Sequence, residues 1–249
     1  MHRSGTSLVS HYLHLIGINM GEEFMGRAPG NPRGHFEDME IFRINQMILE
    51  ENQLPVFTDN IKRDLRKVNA GLSVSGGLGG TISKHVNDRD SKYEFWGWKD
   101  PRTVLTFNVW SKYCPNAYVI VLFRSMEQTV DSLLRRGSDQ EVVKSPIIAV
   151  RSWILYNKIL LDLIRKYDRK KIVVIDIDDF VGNYGKYAGL LEKKLSLRLR
   201  PLDLGEIYKT GELKTKISKK TRSLIFHNPG LAKESKLIYD KLMAVSRNN

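Results

Sequence analysis

Two short stretches hold residue types suited to binding an anion. "HRSGTS" at residues 2–7 sets Gly5 among Ser4, Thr6 and Ser7, with Arg3 two positions before it. A glycine in that company, entering a helix, can turn successive backbone N–H groups toward an anion, and the helix dipole adds to their pull. Arg3 brings a fixed charge, and the three hydroxyls can donate. The order differs from the nucleoside-triphosphate loop G-x-x-x-x-G-K-[ST], because Gly5 is followed by Thr6 and Ser7 with no Lys. A basic segment that merely caps a helix would read the same way. In "FRSMEQTVDS" at 123–132, Arg124 ends an apolar run and Ser132 lies eight residues further on. An Arg fork with a Ser hydroxyl suits a terminal phosphate.

Group transfer at such a site needs a base and a cation beside the reacting atoms. Glu37 stands in "GHFED" at 34–38, just after a Gly/Pro-rich segment. It can serve as the base, or simply favour a helix start as an acid. His35 is the rival, since an imidazole titrates closer to neutral pH. Lys99 ends "YEFWGWK" at 93–99 and can meet anionic oxygens, or lie on the surface. Asp100 and Arg102 can pair locally or cap the next helix. Trp96, Trp98 and Trp153 read as core or groove-lining residues. Cys114, the single cysteine, has no visible His–Asp partnership and reads as structural.

The elements that must position these residues follow from periodicity. Apolar spacing predicts helices over 6–16, 37–52, 103–114, about 126–136, 145–167, about 183–195 and 231–245. "AYVIVLF" at 117–123 and "KIVVIDI" at 171–177 are continuous apolar, β-branched runs. They read as strands buried on both faces. "YEFWGWK" is expected to be a third strand, which puts Lys99 at a sheet edge. Residues 19–34 are expected to be a loop, 52–92 are weakly patterned, and "GGLGG" at 76–80 suggests a flexible turn. Strands alternating with helices imply parallel pairing. The fold class is therefore α/β with a central parallel sheet, in one domain spanning 1–249. Residues 200–249 read as a basic C-terminal extension.

The chain has 249 residues and is 41% hydrophobic, enough for a substantial core. Forty Lys and Arg against 28 Asp and Glu give a formal charge of +12, which favours an anionic partner: a nucleotide, nucleic acid, an anionic lipid surface or an acidic glycan. One cysteine excludes an internal disulfide and a cysteine-based metal site. No apolar run reaches the roughly 18 residues of a spanning helix. No signal peptide is visible, so a cytoplasmic location is expected.

Taken together, "HRSGTS" and "FRSMEQTVDS" resemble the sulfotransferase family that uses 3'-phosphoadenosine-5'-phosphosulfate (PAPS) as sulfuryl donor. "GHFED" and "WGWKDPRT" at 96–103 are similar to a bacterial and carbohydrate-type branch, and the likeness runs from residue 1 to about 195. The resemblance implies a three-layer fold like that of the P-loop nucleoside triphosphate hydrolases. It implies that Arg3, Ser4, Gly5, Thr6 and Ser7 hold the 5'-phosphosulfate, and that Arg124 and Ser132 hold the 3'-phosphate. It points to Glu37 as base and to Lys99 as a ligand of the sulfuryl or bridging oxygen, with no metal. The acceptor would be a hydroxyl of a sugar or glycolipid, chosen by residues 19–34 and 52–92. In this family a strand precedes the loop, so one is expected upstream of Met1. The glycine-rich basic segment of many relatives has no clear counterpart. "KISKKTRS" at 216–223 is a possible substitute, or else a solvated charged face. Two other functions stay open. One is a Mg-dependent P-loop kinase, with "VVIDIDD" at 173–179 as its acidic strand end. The other is a non-catalytic basic module, for which no nucleic-acid motif is present.

Overall fold

The computed structural model describes residues 1–26, 34–198, 200, 204–208, 213 and 216–248. Part of the expected 19–34 loop, residues 27–33, lies outside them, as do parts of the 200–249 extension. The first half is helical: α1 (Thr6–Leu15), α2 (Met39–Glu51), α3 (Ile61–Ala70), α4 (Gly76–Lys92) and α5 (Thr103–Tyr113). Then come β1 (Val119–Phe123), α6 (Met126–Arg136), α7 (Gln140–Lys144), α8 (Ile147–Lys166) and β2 (Ile172–Asp176). The chain continues through α9 (Ile177–Gly182), α10 (Tyr184–Leu195), α11 (Leu204–Ile207), α12 (Lys219–Phe226) and α13 (Pro229–Ser246).

β1 and β2 pair in parallel, in register from Val119 opposite Ile172 to Phe123 opposite Asp176. The connection between them carries α6 to α8, as a parallel pair requires. The expected α/β class with parallel pairing is therefore present. Among the described residues the sheet has two strands. Period-two alternation splits their side chains between two apolar clusters. Val121, Phe123, Ile172 and Val174 join a cluster with residues of α2, α4, α5, α6, α8 and α13. Leu122, Val173 and Ile175 join another with residues of α1, α9 and α10.

The third expected strand does not form. "YEFWGWK" makes one isolated parallel bridge, Asn19 with Trp96, through Asn19 N–H to Phe95 O at 3.0 Å and Gly97 N–H to Asn19 O at 2.9 Å. Its aromatics are used sideways instead. Trp96 stacks on Trp98 at 5.7 Å, and Trp98 packs on Trp110 at 4.7 Å. Side-chain packing and one bridge hold the segment extended without a ladder.

The "GGLGG" turn is also overturned, because it forms the first turns of α4. Ser75 caps this helix by accepting from Leu78 N–H at 3.3 Å, and Glu51 holds the Ser75 hydroxyl at 2.7 Å. Leu78, Ile82 and Val86 then recur every fourth residue on the buried face. Burial outweighs the glycine penalty of about 1 kcal/mol per residue. A cap and a buried face likewise make α2: Asp38 accepts from Glu40 and Ile41 N–H, and Ile41, Ile44 and Ile48 are buried.

Candidate functional site

One cavity of about 310 Å³ opens where the N-terminal loop meets the C-terminal ends of the two strands. That volume suits a small-molecule site, typically upward of about 300 Å³. Arg3, Gly5, Thr6, Ser7, Glu37, Lys99, Arg124 and Ser132 all line it. They come from four segments spread between Arg3 and Ser132. Ser4 is the exception: its side chain is buried and is not part of the cavity wall.

The loop owes its course to two left-handed residues. Gly5 has φ 77° and Arg3 has φ 64°. A Cβ on Gly5 would lie 2.3 Å from Ile177 Cγ1, so only glycine lets the loop rest on the residue that follows β2. Arg3 turns back to donate from Nε to Ser132 Oγ at 2.9 Å, which joins the two motifs directly. Phe36 is also left-handed, at φ 50°. Non-glycine residues in this region are strained, and such strain gathers at functional sites.

α1 grips the segment bearing Glu37. Ser7 donates to the His35 carbonyl at 3.0 Å, Ser10 donates to the Phe36 carbonyl at 3.4 Å, and His11 stacks on Phe36 at 4.2 Å. Asp38 caps α2 and pairs with the buried Arg89 of α4 at 2.5 Å. Glu37 is thereby fixed between two anchored residues. Lys99 Nζ donates to Glu37 Oε1 at 2.8 Å and to Ser7 Oγ at 3.2 Å. The Lys99 and Glu37 side chains are 10% and 7% exposed. The Ser7 hydroxyl, expected to face an anion, is instead engaged on both sides. Lys99 reaches the site even though its segment is not a strand.

Arg124 leaves β1 with only 2% of its surface exposed and lies 3.7 Å from Asp178. Trp153 donates from Nε1 to the Arg124 carbonyl at 3.0 Å, so this core tryptophan holds the strand end in position. Asp100 and Arg102 pair with each other, at 2.6 Å between Oδ2 and Nη2. The carboxylates of "VVIDIDD" have local tasks: Asp176 caps α9 and accepts from Tyr239, and Asp179 accepts from Tyr187. Cys114 is partly buried, and burial pushes its thiol up to about 11, as a structural cysteine requires.

The cavity wall is rich in positive charge, with Arg3, Lys99, Arg124, Arg135 and Arg136 against Glu37. Burial brings the Arg3 guanidinium down to about 10, and the like charges of Arg136, Arg135 and Arg124 add to the effect. Burial lowers Lys99, against the opposing pull of Glu37. Burial also lowers His35, which keeps the imidazole neutral near pH 7. Two buried atoms on the cavity wall, His2 Nε2 and Arg136 Nε, have no hydrogen-bond partner within the protein. Sequence reading missed His2, His11, Arg135, Arg136 and Tyr208, which also line the cavity. Arg135 and Arg136 carried a signal: they follow Ser132 at i+3 and i+4, on the same helical face. Comparison of the chain with protein-family models, with curated proteins and with solved structures finds no match. The functional reading therefore rests on motifs and geometry.

Proposed function

We propose that the chain is a sulfotransferase that moves a sulfuryl group from PAPS to a hydroxyl on a carbohydrate or glycolipid. The observation that carries this reading is convergence. The 3–7 loop, the Arg124–Ser132 pair and the Glu37–Lys99 pair face one cavity, although nothing in the helical first half of the chain requires it. The donor suits the residues present. Gly5 sets the left-handed turn of the loop against Ile177, and Arg3, Arg124, Arg135 and Arg136 bring positive charge around it. Arg136 lines the cavity, and a guanidinium can only donate, which suits anionic oxygens. The finer fold reading, a three-layer P-loop-like domain spanning 1–249, draws support from the two apolar clusters flanking the strand pair and from the loop at its C-terminal end.

On this reading the residues divide the work. Glu37 takes the proton of the acceptor hydroxyl as its oxygen attacks sulfur. The bond between sulfur and the bridging oxygen breaks, leaving 3'-phosphoadenosine 5'-phosphate. Lys99 and the α1 N-terminus stabilise the charge that gathers on the sulfuryl and bridging oxygens. Arg124 and Ser132 hold the 3'-phosphate, Arg3 and the backbone of its loop hold the 5'-phosphosulfate, and the donor is thereby fixed in line. No residue role here calls for a metal. A cytoplasmic setting belongs to the same reading. Among the described residues no helix is long and apolar enough to cross a membrane.

Titration calorimetry with 3'-phosphoadenosine 5'-phosphate is the direct test. Saturable binding that weakens by about tenfold or more in Arg124→Ala is expected, since a charge-assisted contact to phosphate is lost. Absence of binding to the wild-type chain sinks the reading. Magnesium-dependent ATP turnover would replace it with a kinase.

A further inference from the structure

The C-terminal helices carry a surface that the cavity does not use. Residues 216–248 contain eight Lys or Arg against two Asp or Glu, so half of the chain's formal +12 lies in this segment. All eight basic side chains are exposed, and none of them lines the cavity. On α12, Lys219, Arg222, Ser223 and Phe226 recur at helical spacing along one exposed stripe. On α13, Lys233, Lys236, Leu237, Asp240 and Lys241 do the same, opposite the buried Ser235, Ile238, Leu242 and Ser246. Each stripe also presents a large apolar residue. Phe226 is 80% exposed and Leu237 54%.

This surface is tied to the body of the fold. Ser218 caps α12, and the Ser218 N–H and Thr221 hydroxyl both donate to Asp131 Oδ1 of α6, at 2.9 and 2.8 Å. Docking would cost little ordering entropy. Cations with exposed apolar side chains on a fixed scaffold match the two layers of a membrane interface, anionic headgroups above acyl chains. A single-stranded nucleic acid would call instead for aromatic faces that stack successive bases. Leu237 has no such face.

We propose that α12 and α13 form a peripheral docking surface for an anionic lipid bilayer. Phe226 enters the interfacial layer, and the surrounding Lys and Arg meet the headgroup charges. The surface acts independently of the cavity chemistry. If both hold, it brings the enzyme to a glycolipid acceptor in the plane of the membrane.

The test is co-sedimentation of the full chain with vesicles of phosphatidylcholine alone, or of phosphatidylcholine mixed with phosphatidylserine. Binding to the anionic vesicles that falls as salt rises is expected, with little on the neutral ones. Each cation at an anionic surface is worth about fivefold in partitioning. The triple variant Lys219→Gln, Lys220→Gln, Arg222→Gln should therefore lose at least about tenfold. Phe226→Ser should lose about fivefold. All four side chains are exposed, so the melting temperature should not move. No binding to the anionic vesicles, equal binding to both vesicle types, a Phe226→Ser variant that binds like wild type, or tighter binding to a single-stranded RNA homopolymer at equal salt would each overturn the proposal. Calorimetry with 3'-phosphoadenosine 5'-phosphate on the same variants should give wild-type affinity, so the docking surface and the cavity reading fail separately.

Discussion

Glu37 and Lys99 show how much a single residue depends on its partner. In the sequence they are an acid in one motif and a base in another, 62 positions apart. In the structure they form one buried ion pair with Ser7 as the third member. Glu37→Gln should keep nucleotide affinity within about twofold and lose about a hundredfold or more in turnover, as expected for a general base. A fully active variant would remove Glu37 from that role and leave His35. Lys99 gives a pH prediction. Burial lowers its pKa, so it sheds its proton at a lower pH than an ordinary lysine. Turnover should fall on the alkaline side below the usual lysine range. Lys99→Arg, which stays charged, should move that limb to higher pH. A pH–rate profile of both proteins checks it. At this scale the meeting of the two motifs at one cavity was legible, because Arg, Ser and Gly at those spacings suit a common task. The burial of Ser4 and the internal use of the Ser7 hydroxyl were not, since spacing says nothing about which way a side chain turns.

The loop between Met1 and α1 is the element on which the site turns. Its left-handed glycine rests against Ile177, whose side chain is fixed by β2 and α9. Gly5→Ala should cost about 2 kcal/mol or more, from the unfavourable backbone region together with overpacking. Nucleotide binding should fall with it. Thermal denaturation with and without 3'-phosphoadenosine 5'-phosphate separates the two effects. β1, β2, α6 and α8 were readable because each is long or strongly patterned and internally consistent. "YEFWGWK" and "GGLGG" were misread for opposite reasons. The first has the composition of a strand but meets only Asn19, while the second has the composition of a turn but carries Leu78 into a helix that buries Ile82 and Val86. In both cases the partner across space decided the conformation, and local propensity was the weaker influence.

For the whole molecule, the C-terminal segment is tied to the site through α6. Asp131 accepts from Ser218, Thr221 and Arg135, and the next residue, Ser132, faces the cavity. Burial alone would raise the Asp131 carboxyl, but these hydrogen bonds outweigh it and bring it down to about 2. The folded state therefore prefers the ionised form. That contribution, about 2 kcal/mol, is complete above the ordinary aspartate range near pH 4 and disappears as pH falls through about 2. Asp131→Asn should be less stable near pH 7 and should lose less of its remaining stability on acidification. Denaturant titrations at a series of pH values would show it. The sequence by itself determined the class of the fold and the two parallel strands, and it marked the Gly–hydroxyl–Arg loop that lines the cavity, because β-branched runs, helical periodicity and loop composition carry their physics locally. Only the tertiary structure decided that Lys99 neutralises Glu37, that Arg136 and His2 join the cavity, and that the basic tail faces solvent while its other side completes the core. Each of these depends on contacts between segments far apart in the chain, and such contacts form only when the apolar faces of the helices and strands are buried against one another.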